Sequence, residues 1–86
     1  MYPSKSQHQA IEAKLNFMLG AEVFDRSFLG FVCGRFESDT VNIFVQNENC
    51  AAVIESEYSW HLVIIVESVL KKPIKFVNVL PKALSN

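Results

Sequence analysis

The spacing of apolar residues changes in the middle of the chain. Val41, Ile43 and Val45 occupy alternate positions, which predicts a half-buried β-strand over residues 41–45. Residues 37–40 before it are Glu-Ser-Asp-Thr, short polar residues that favour a turn. A weaker strand is predicted over residues 31–36. These two strands are therefore expected to form a hairpin.

The pattern after this strand is helical. From Cys50 to Leu70 there is no Gly and no Pro, and apolar residues recur every three or four positions. This predicts one continuous helix from about Asn49 to Lys71, capped by Asn47 or Asn49. The stripe that we expect to be buried on it contains Ala51, Ile54, Tyr58, Leu62, Ile65, Val66 and Val69.

Two further helices and a third strand are predicted from the remaining pattern. A helix beginning at Ser6 or Gln7 has an apolar set of Ile11, Leu15 and Met18 and ends at Gly20, where a positive φ is expected. A short helix fits residues 21–28. After the long helix, Pro73 prevents continuation, and residues 74–79 have the apolar content of a last strand.

The predicted order is therefore α-α-β-β-α-β, an α+β fold with a three-stranded sheet packed by helices. We expect residues 1–7 to be a flexible N-terminus, residues 8–80 to form a single domain, and residues 81–86 to be a flexible tail or the start of a linker. The residues expected to be largely buried are Phe24, Phe28, Ile43, Ile54, Tyr58, Leu62 and Ile65.

Composition narrows the class of protein. Half of the 86 residues are hydrophobic and the formal net charge is −1, so no global positive field attracts nucleic acid or anionic lipid. Charge is nevertheless segregated, because residues 36–70 carry six acids and no Lys or Arg, whereas residues 71–86 carry four lysines and no acid. Only two cysteines are present, the N-terminus lacks the apolar core of a signal peptide, and no apolar run is long enough to span a bilayer. A cytoplasmic location without membrane association is the expectation.

The polar side chains do not form a recognisable catalytic or metal-binding motif. His8, His61, Cys33 and Cys50 lack the paired spacing that brings metal ligands together. Nothing near Cys33 in the sequence would lower the pKa of its thiol. The segment from Gly30 to Gly34 is neither a nucleotide-binding loop nor the Gly-x-x-Gly loop of nucleic-acid-binding KH domains. We therefore expect no cofactor, no metal and no enzymatic activity.

Several segments resemble the N-terminal domain of the bacterial replication initiator DnaA. Residues 39–47 (DTVNIFVQN) resemble its second strand, which reads roughly D-T-L-x-L-x-x-P-N. Residues 24–28 (FDRSF) resemble its F-x-x-W-[IFL] motif, and residues 53–58 (VIESEY) its W-[VIL]-x-x-x-Y motif, with Ser27 and Val53 at the two tryptophan positions. Residues 74–79 match its closing strand. The resemblance covers residues 8–80 and implies a KH-like fold without a GxxG loop.

The resemblance also implies a function. Domains of this family self-associate and recruit the replicative helicase and regulatory partners during the initiation of DNA replication. By similarity, partner contacts are expected at Gln7 or His8, at Glu22, and at Asn49. A related alternative is a KH-like adaptor similar to the one at the C-terminal end of the clamp-loader tau subunit.

Two candidate binding surfaces can be inferred from residue types alone, without the resemblance. Trp60 lies about 160° around a helix from Leu62, at 100° per residue, and aligns with Val53 and Ile64. This row is either an exposed interface, for a homodimer or a partner helix, or the second buried side of a central helix. The second surface is the lysine group, Lys71, Lys72, Lys75 and Lys82, which either binds single-stranded nucleic acid weakly or balances the dipole of the preceding helix.

Overall fold

The computed structural model describes residues 1–82 and contains helices on one face of a three-stranded sheet. This confirms the α+β class. The helices are α1 (Lys5–Leu19), α2 (Ala21–Val23), which continues as one π-helical turn (Phe24–Phe28), α3 (Glu48–Glu57) and α4 (Ser59–Leu70). The strands are β1 (Val32–Glu37), β2 (Thr40–Val45) and β3 (Phe76–Pro81).

The sheet has the order β1-β2-β3 and is mixed. β1 and β2 form the expected antiparallel hairpin, whereas β3 is parallel to β2, with Thr40 opposite Phe76 and Val45 opposite Pro81. A parallel neighbour requires a long crossover connection, and α3 and α4 supply it. The register of β1 shifts between Cys33 and Phe36, so that Gly34 lies in a bulge.

One continuous core lies between the helices and the inner face of the sheet. Six of the seven residues predicted to be largely buried are buried, from Phe24 at the π-helical turn to Ile65 in α4. Tyr58 is the exception and is only half-buried, as is Val69. Alternate residues of β2 and β3 face this core, namely Val41, Ile43, Val45, Val77 and Val79.

The prediction of one continuous helix from Asn49 to Lys71 was wrong. The chain leaves helical geometry at Tyr58 (φ −126°, ψ 6°), which ends α3 and precedes α4. α3 packs against β3 and the π-helical turn, whereas α4 packs against α1. Both helices also contact β3, but their main neighbours differ, and the break at Tyr58 gives each helix its own direction. The Tyr58 ring packs 6.1 Å from that of Phe28, measured between centroids.

The first helix begins earlier than predicted. The Ser4 hydroxyl accepts a hydrogen bond from the Gln7 amide, and the Gln7 side chain accepts one from the Ser4 amide, which forms a capping box. Helix α1 therefore starts at Lys5, inside the segment that we expected to be flexible. Met1 also contacts the sheet, because its carbonyl accepts a hydrogen bond of 2.7 Å from the Phe36 amide. Gly20 ends the helix with φ of 88°, as expected.

The last strand is shifted by two residues from its predicted bounds. Ile74 lies before β3, and its amide donates to the Glu67 carboxylate at 3.1 Å. The strand begins at Phe76 and ends at Pro81, and the Lys82 amide still donates to the Val45 carbonyl at 2.7 Å. Pro81 is thus the end of a strand rather than the start of a tail. Residues 83–86 of the predicted tail lie outside the described residues.

Candidate interaction surface

The two thiols are enclosed by the core. Cys33 and Cys50 are both free and buried. Burial raises the pKa of the Cys33 thiol to about 12, so the reactive thiolate is absent at neutral pH. Within residues 1–82 no group of three His, Cys, Asp or Glu side chains is placed to hold a metal ion. No helix in this part of the chain is long and apolar enough to cross a membrane.

The two candidate partner residues of α1 have structural contacts. Gln7 completes the capping box with Ser4. The His8 ring stacks on Phe31 with centroids 4.7 Å apart, and its Nε2 donates to the Phe31 carbonyl at 3.1 Å. Both side chains are half-buried. A partner contact at His8 would compete with the bond that holds α1 to the segment before β1, and one at Gln7 would compete with the cap of α1.

The candidate partner residues Glu22 and Asn49 are exposed on separate elements. Glu22 lies on α2, 3.8 Å from the Arg26 guanidinium, and both groups are in solvent. Asn49 lies in the first turn of α3. It is not the cap, because the Asn47 side chain accepts the Cys50 amide at 2.8 Å and performs that role. Asn49 lines a shallow hollow of about 350 Å³ together with Asn47, Glu48 and Pro81.

Trp60 and Ile64 form an exposed ridge on α4. Trp60 is 70% exposed and Ile64, one turn later, is 43% exposed, while Leu62 between them is fully buried. The Trp60 side of this helix was expected to be either an exposed interface or a second buried side. In the structure it is exposed to solvent. The break at Tyr58 puts Val53 on α3 instead, where it is half-buried. We define the α4 ridge as Trp60 and Ile64.

A shallow hollow lies on each side of this ridge. The α1–α4 hollow, of about 350 Å³, is bounded by the ridge residue Ile64 and by the C-terminal part of α1. Its lining is Lys14, Phe17, Met18, Ile64, Ile65 and Ser68. The α4–β3 hollow, of about 240 Å³, lies on the Trp60 side. Its lining is Glu55, Ser59, Trp60, Val63, Lys75, Phe76 and Val77.

Sequence reasoning missed the contribution of α1 and β3 to this surface. Phe17 is 90% exposed, and Met18, which belongs to the apolar set predicted for this helix, is 50% exposed. Phe76 is 62% exposed on the outer side of β3. The position of Phe17, two residues after the buried Leu15 and so on the opposite side of the helix, was a usable signal. The exposure of Met18 depends on where α4 lies. It therefore could not be predicted from the sequence of α1 alone.

The lysines do not make one positive patch. Lys71 ends α4 in a left-handed conformation, and the Lys72 ammonium lies 5.2 Å from the centre of the Phe36 ring. The Lys75 amide donates to the carbonyl of the acidic residue Asp39. Lys82 is at the opposite end of β3. Lys82 is therefore separated from the other three lysines, which lie between the last residue of α4 and the first residue of β3.

Comparison of the chain with protein-family models finds no match, and neither does comparison with the curated proteins.

Proposed function

We propose that this chain is a protein–protein interaction module that self-associates through the α4 ridge. The observation that carries the proposal is the 70% exposure of Trp60 beside a core that is complete without it. Large aromatic side chains that stand in solvent next to aliphatic neighbours have the composition of an interface anchor. An interface there would remove this apolar surface from water.

The resemblance to the N-terminal domain of DnaA supports the same class of function. The α+β architecture, with a short α2 region before the hairpin and a helical crossover before the last strand, is compatible with the fold that the resemblance implies. By similarity, the module would act in the assembly of replication-initiation complexes, where self-association and recruitment of the helicase or a regulator take place. The proposed self-association uses α4 rather than Gln7 and His8, which have structural contacts in this chain.

The test uses Trp60→Ala and a matched control. Tyr2 is an aromatic of similar exposure, 68%, away from the α4 ridge, so Tyr2→Ala controls for loss of any exposed aromatic. Sedimentation and thermal unfolding are measured for both variants and the wild type over a hundredfold range of concentration. We expect the wild type and Tyr2→Ala to gain mass with concentration, and Trp60→Ala to remain monomeric with an almost unchanged melting temperature at low concentration.

Three results would refute the proposal. The first is a wild type that stays monomeric at every concentration, and the second is a Trp60→Ala variant that associates as the wild type does. The third is a large loss of stability of Trp60→Ala at every concentration, which would make Trp60 a contributor to the monomer core.

A further inference from the structure

We infer that two copies pair with their α4 helices antiparallel, about a two-fold axis beside Ile64, with Trp60 of each copy in the α1–α4 hollow of the other. This inference rests on the proposed function and specifies its geometry. The occupant of the hollow is thus a second copy of this chain. A two-fold contact is self-complementary, so one surface must supply both the inserted group and the site that receives it.

The α4 ridge and the α1–α4 hollow meet this requirement because they share a boundary. Ile64 belongs to the ridge and also lines the hollow. Trp60 lies four residues before Ile64, and Ser68, which lines the far part of the hollow, lies four residues after it. An axis beside Ile64 therefore brings Trp60 of one copy to Ser68 of the other. Each such pair lies about 6 Å along the helix from the axis, at 1.5 Å per residue.

The receiving hollow suits an indole ring. Ser68 is small, and its hydroxyl already donates to the Ile65 carbonyl at 2.8 Å, so an arriving ring leaves no unpaired hydroxyl. Phe17 and Met18 supply an aromatic and a thioether contact, both of which favour an aromatic neighbour. Lys14 at the rim places a cation where it can approach the face of the ring.

The charges along α4 favour the antiparallel direction. Glu57 lies just before the start of α4, and Lys71 lies at its end, both exposed. An antiparallel pair brings the Glu57 end of one copy to the Lys71 end of the other, whereas a parallel pair would bring like charges together. Exposed pairs contribute little energy, but they discriminate between orientations.

The available area indicates a weak dimer. The exposed parts of Phe17, Met18, Trp60 and Ile64 offer roughly 500 Å² per copy, since a whole aromatic side chain contributes about 150–250 Å². Two copies would bury about 1,000 Å² of such surface, which is at the lower limit for specific interfaces. We therefore expect association on the order of tens of micromolar rather than an obligate dimer.

The first experiment tests the axis. A residue beside a two-fold axis meets its own counterpart, so Ile64→Cys should form an intermolecular disulfide under mild oxidation, seen as a dimer on a non-reducing gel. Ser68→Cys should not, because its two copies lie about 12 Å apart along the helix, at 1.5 Å per residue. The native thiols are buried and give a low background. Adding Trp60→Ala to Ile64→Cys should reduce cross-linking at least tenfold.

The second experiment fills the hollow without touching the ridge. Ser68→Phe should weaken association at least tenfold, measured by sedimentation and by the fluorescence of Trp60, the only tryptophan. Ser56→Phe is the matched control, since Ser56 also donates its hydroxyl to the carbonyl three residues earlier but lies on α3. We expect Ser56→Phe to associate like the wild type.

The outcomes separate the inference from the proposed function. If Trp60→Ala abolishes association while Ile64→Cys fails to cross-link and Ser68→Phe binds normally, the two-fold arrangement is wrong and self-association through Trp60 stands. A head-to-tail contact or a different partner for the hollow would give that result. If Trp60→Ala has no effect on association, the proposed function itself is wrong.

Discussion

Replacing Leu62 by Ala tests how α4 is anchored. Leu62 is fully buried, whereas Ile64 on the same helix is 43% exposed, so Ile64→Ala is the matched control. Both substitutions shorten a four-carbon aliphatic side chain to a methyl group, and neither introduces a polar atom. A difference in stability between the two variants therefore reports the difference in burial.

The expected magnitudes follow from the carbons removed from the core. Leu62→Ala withdraws three buried carbons, worth about 2.4 kcal/mol at roughly 0.8 kcal/mol each. The cavity that remains adds to this, and such variants lose about 2–5 kcal/mol in total. We expect about 3 kcal/mol for Leu62→Ala, because α1 and the sheet hold the site open. For Ile64→Ala, with about half of the side chain already in water, we expect roughly 1 kcal/mol.

The assay is urea unfolding followed by circular dichroism at a concentration below that of self-association. With a slope on the order of 1 kcal/mol per molar urea, the midpoint of Leu62→Ala should fall by about 3 M and that of Ile64→Ala by about 1 M. The melting temperature should fall in the same order, by about 4–8 °C per kcal/mol for a domain of this size.

Equal midpoints for the two variants would refute this reasoning. That result would mean that the Leu62 site is not a fixed part of the core, or that α4 is held mainly by its ends. A larger loss for Ile64→Ala would mean that the assignment of the buried and exposed faces of α4 is reversed.

Two further predictions concern the sheet. Because burial raises the pKa of Cys33 from 9.0 to about 12, only the unfolded thiol ionises between these values, so stability should fall by up to about 1.4 kcal/mol per pH unit above pH 9. Urea midpoints from pH 8 to 10.5 check this, and a Cys33→Ala variant with the same slope would contradict it. Gly34→Ala places a methyl group 2.6 Å from Phe44 and 3.2 Å from the Asn42 carbonyl, so it should destabilise by about 1–3 kcal/mol. In a Phe44→Ala background most of that loss should disappear, and an undiminished loss would assign it to the backbone instead.

The elements that sequence predicts well are those whose pattern has one interpretation. Val41, Ile43 and Val45 are buried at alternate positions, which is the period of a strand. Ile11 and Leu15 are buried four residues apart, and Ala13, which would share their face in a strand, is exposed, so this segment fits a helix. The break at Tyr58 had no such signal. Ile54, Tyr58 and Leu62 are four residues apart whether the helix continues or bends. Their spacing therefore does not predict the break. The bend follows from where α3 and α4 pack, which is a property of the assembled fold.

The candidate surface was predicted in part for a similar reason. Trp60 and Ile64 lie opposite the buried stripe of their own helix, and that relation is local. The hollow beside them is made with Phe17 and Met18, more than forty residues earlier in the chain. His8 was expected at a partner contact, but it stacks on Phe31, which α1 reaches only in the folded state. Contacts between distant segments decide which exposed residues become neighbours.

The parallel pairing of β2 and β3 has a consequence for synthesis of the chain. β3 is the last element in the part of the chain that the structure describes, and each of its residues pairs with a β2 residue made 36 positions earlier. Until β3 has left the ribosome, the nascent chain has only the β1–β2 hairpin. In this hairpin, β2 lacks its second neighbouring strand. A two-stranded hairpin of this kind is marginal in water. The growing chain therefore exposes the apolar face that contains Val41, Ile43 and Val45, together with the unpaired backbone groups along the edge of β2. During this interval the chain is most prone to pair with other chains.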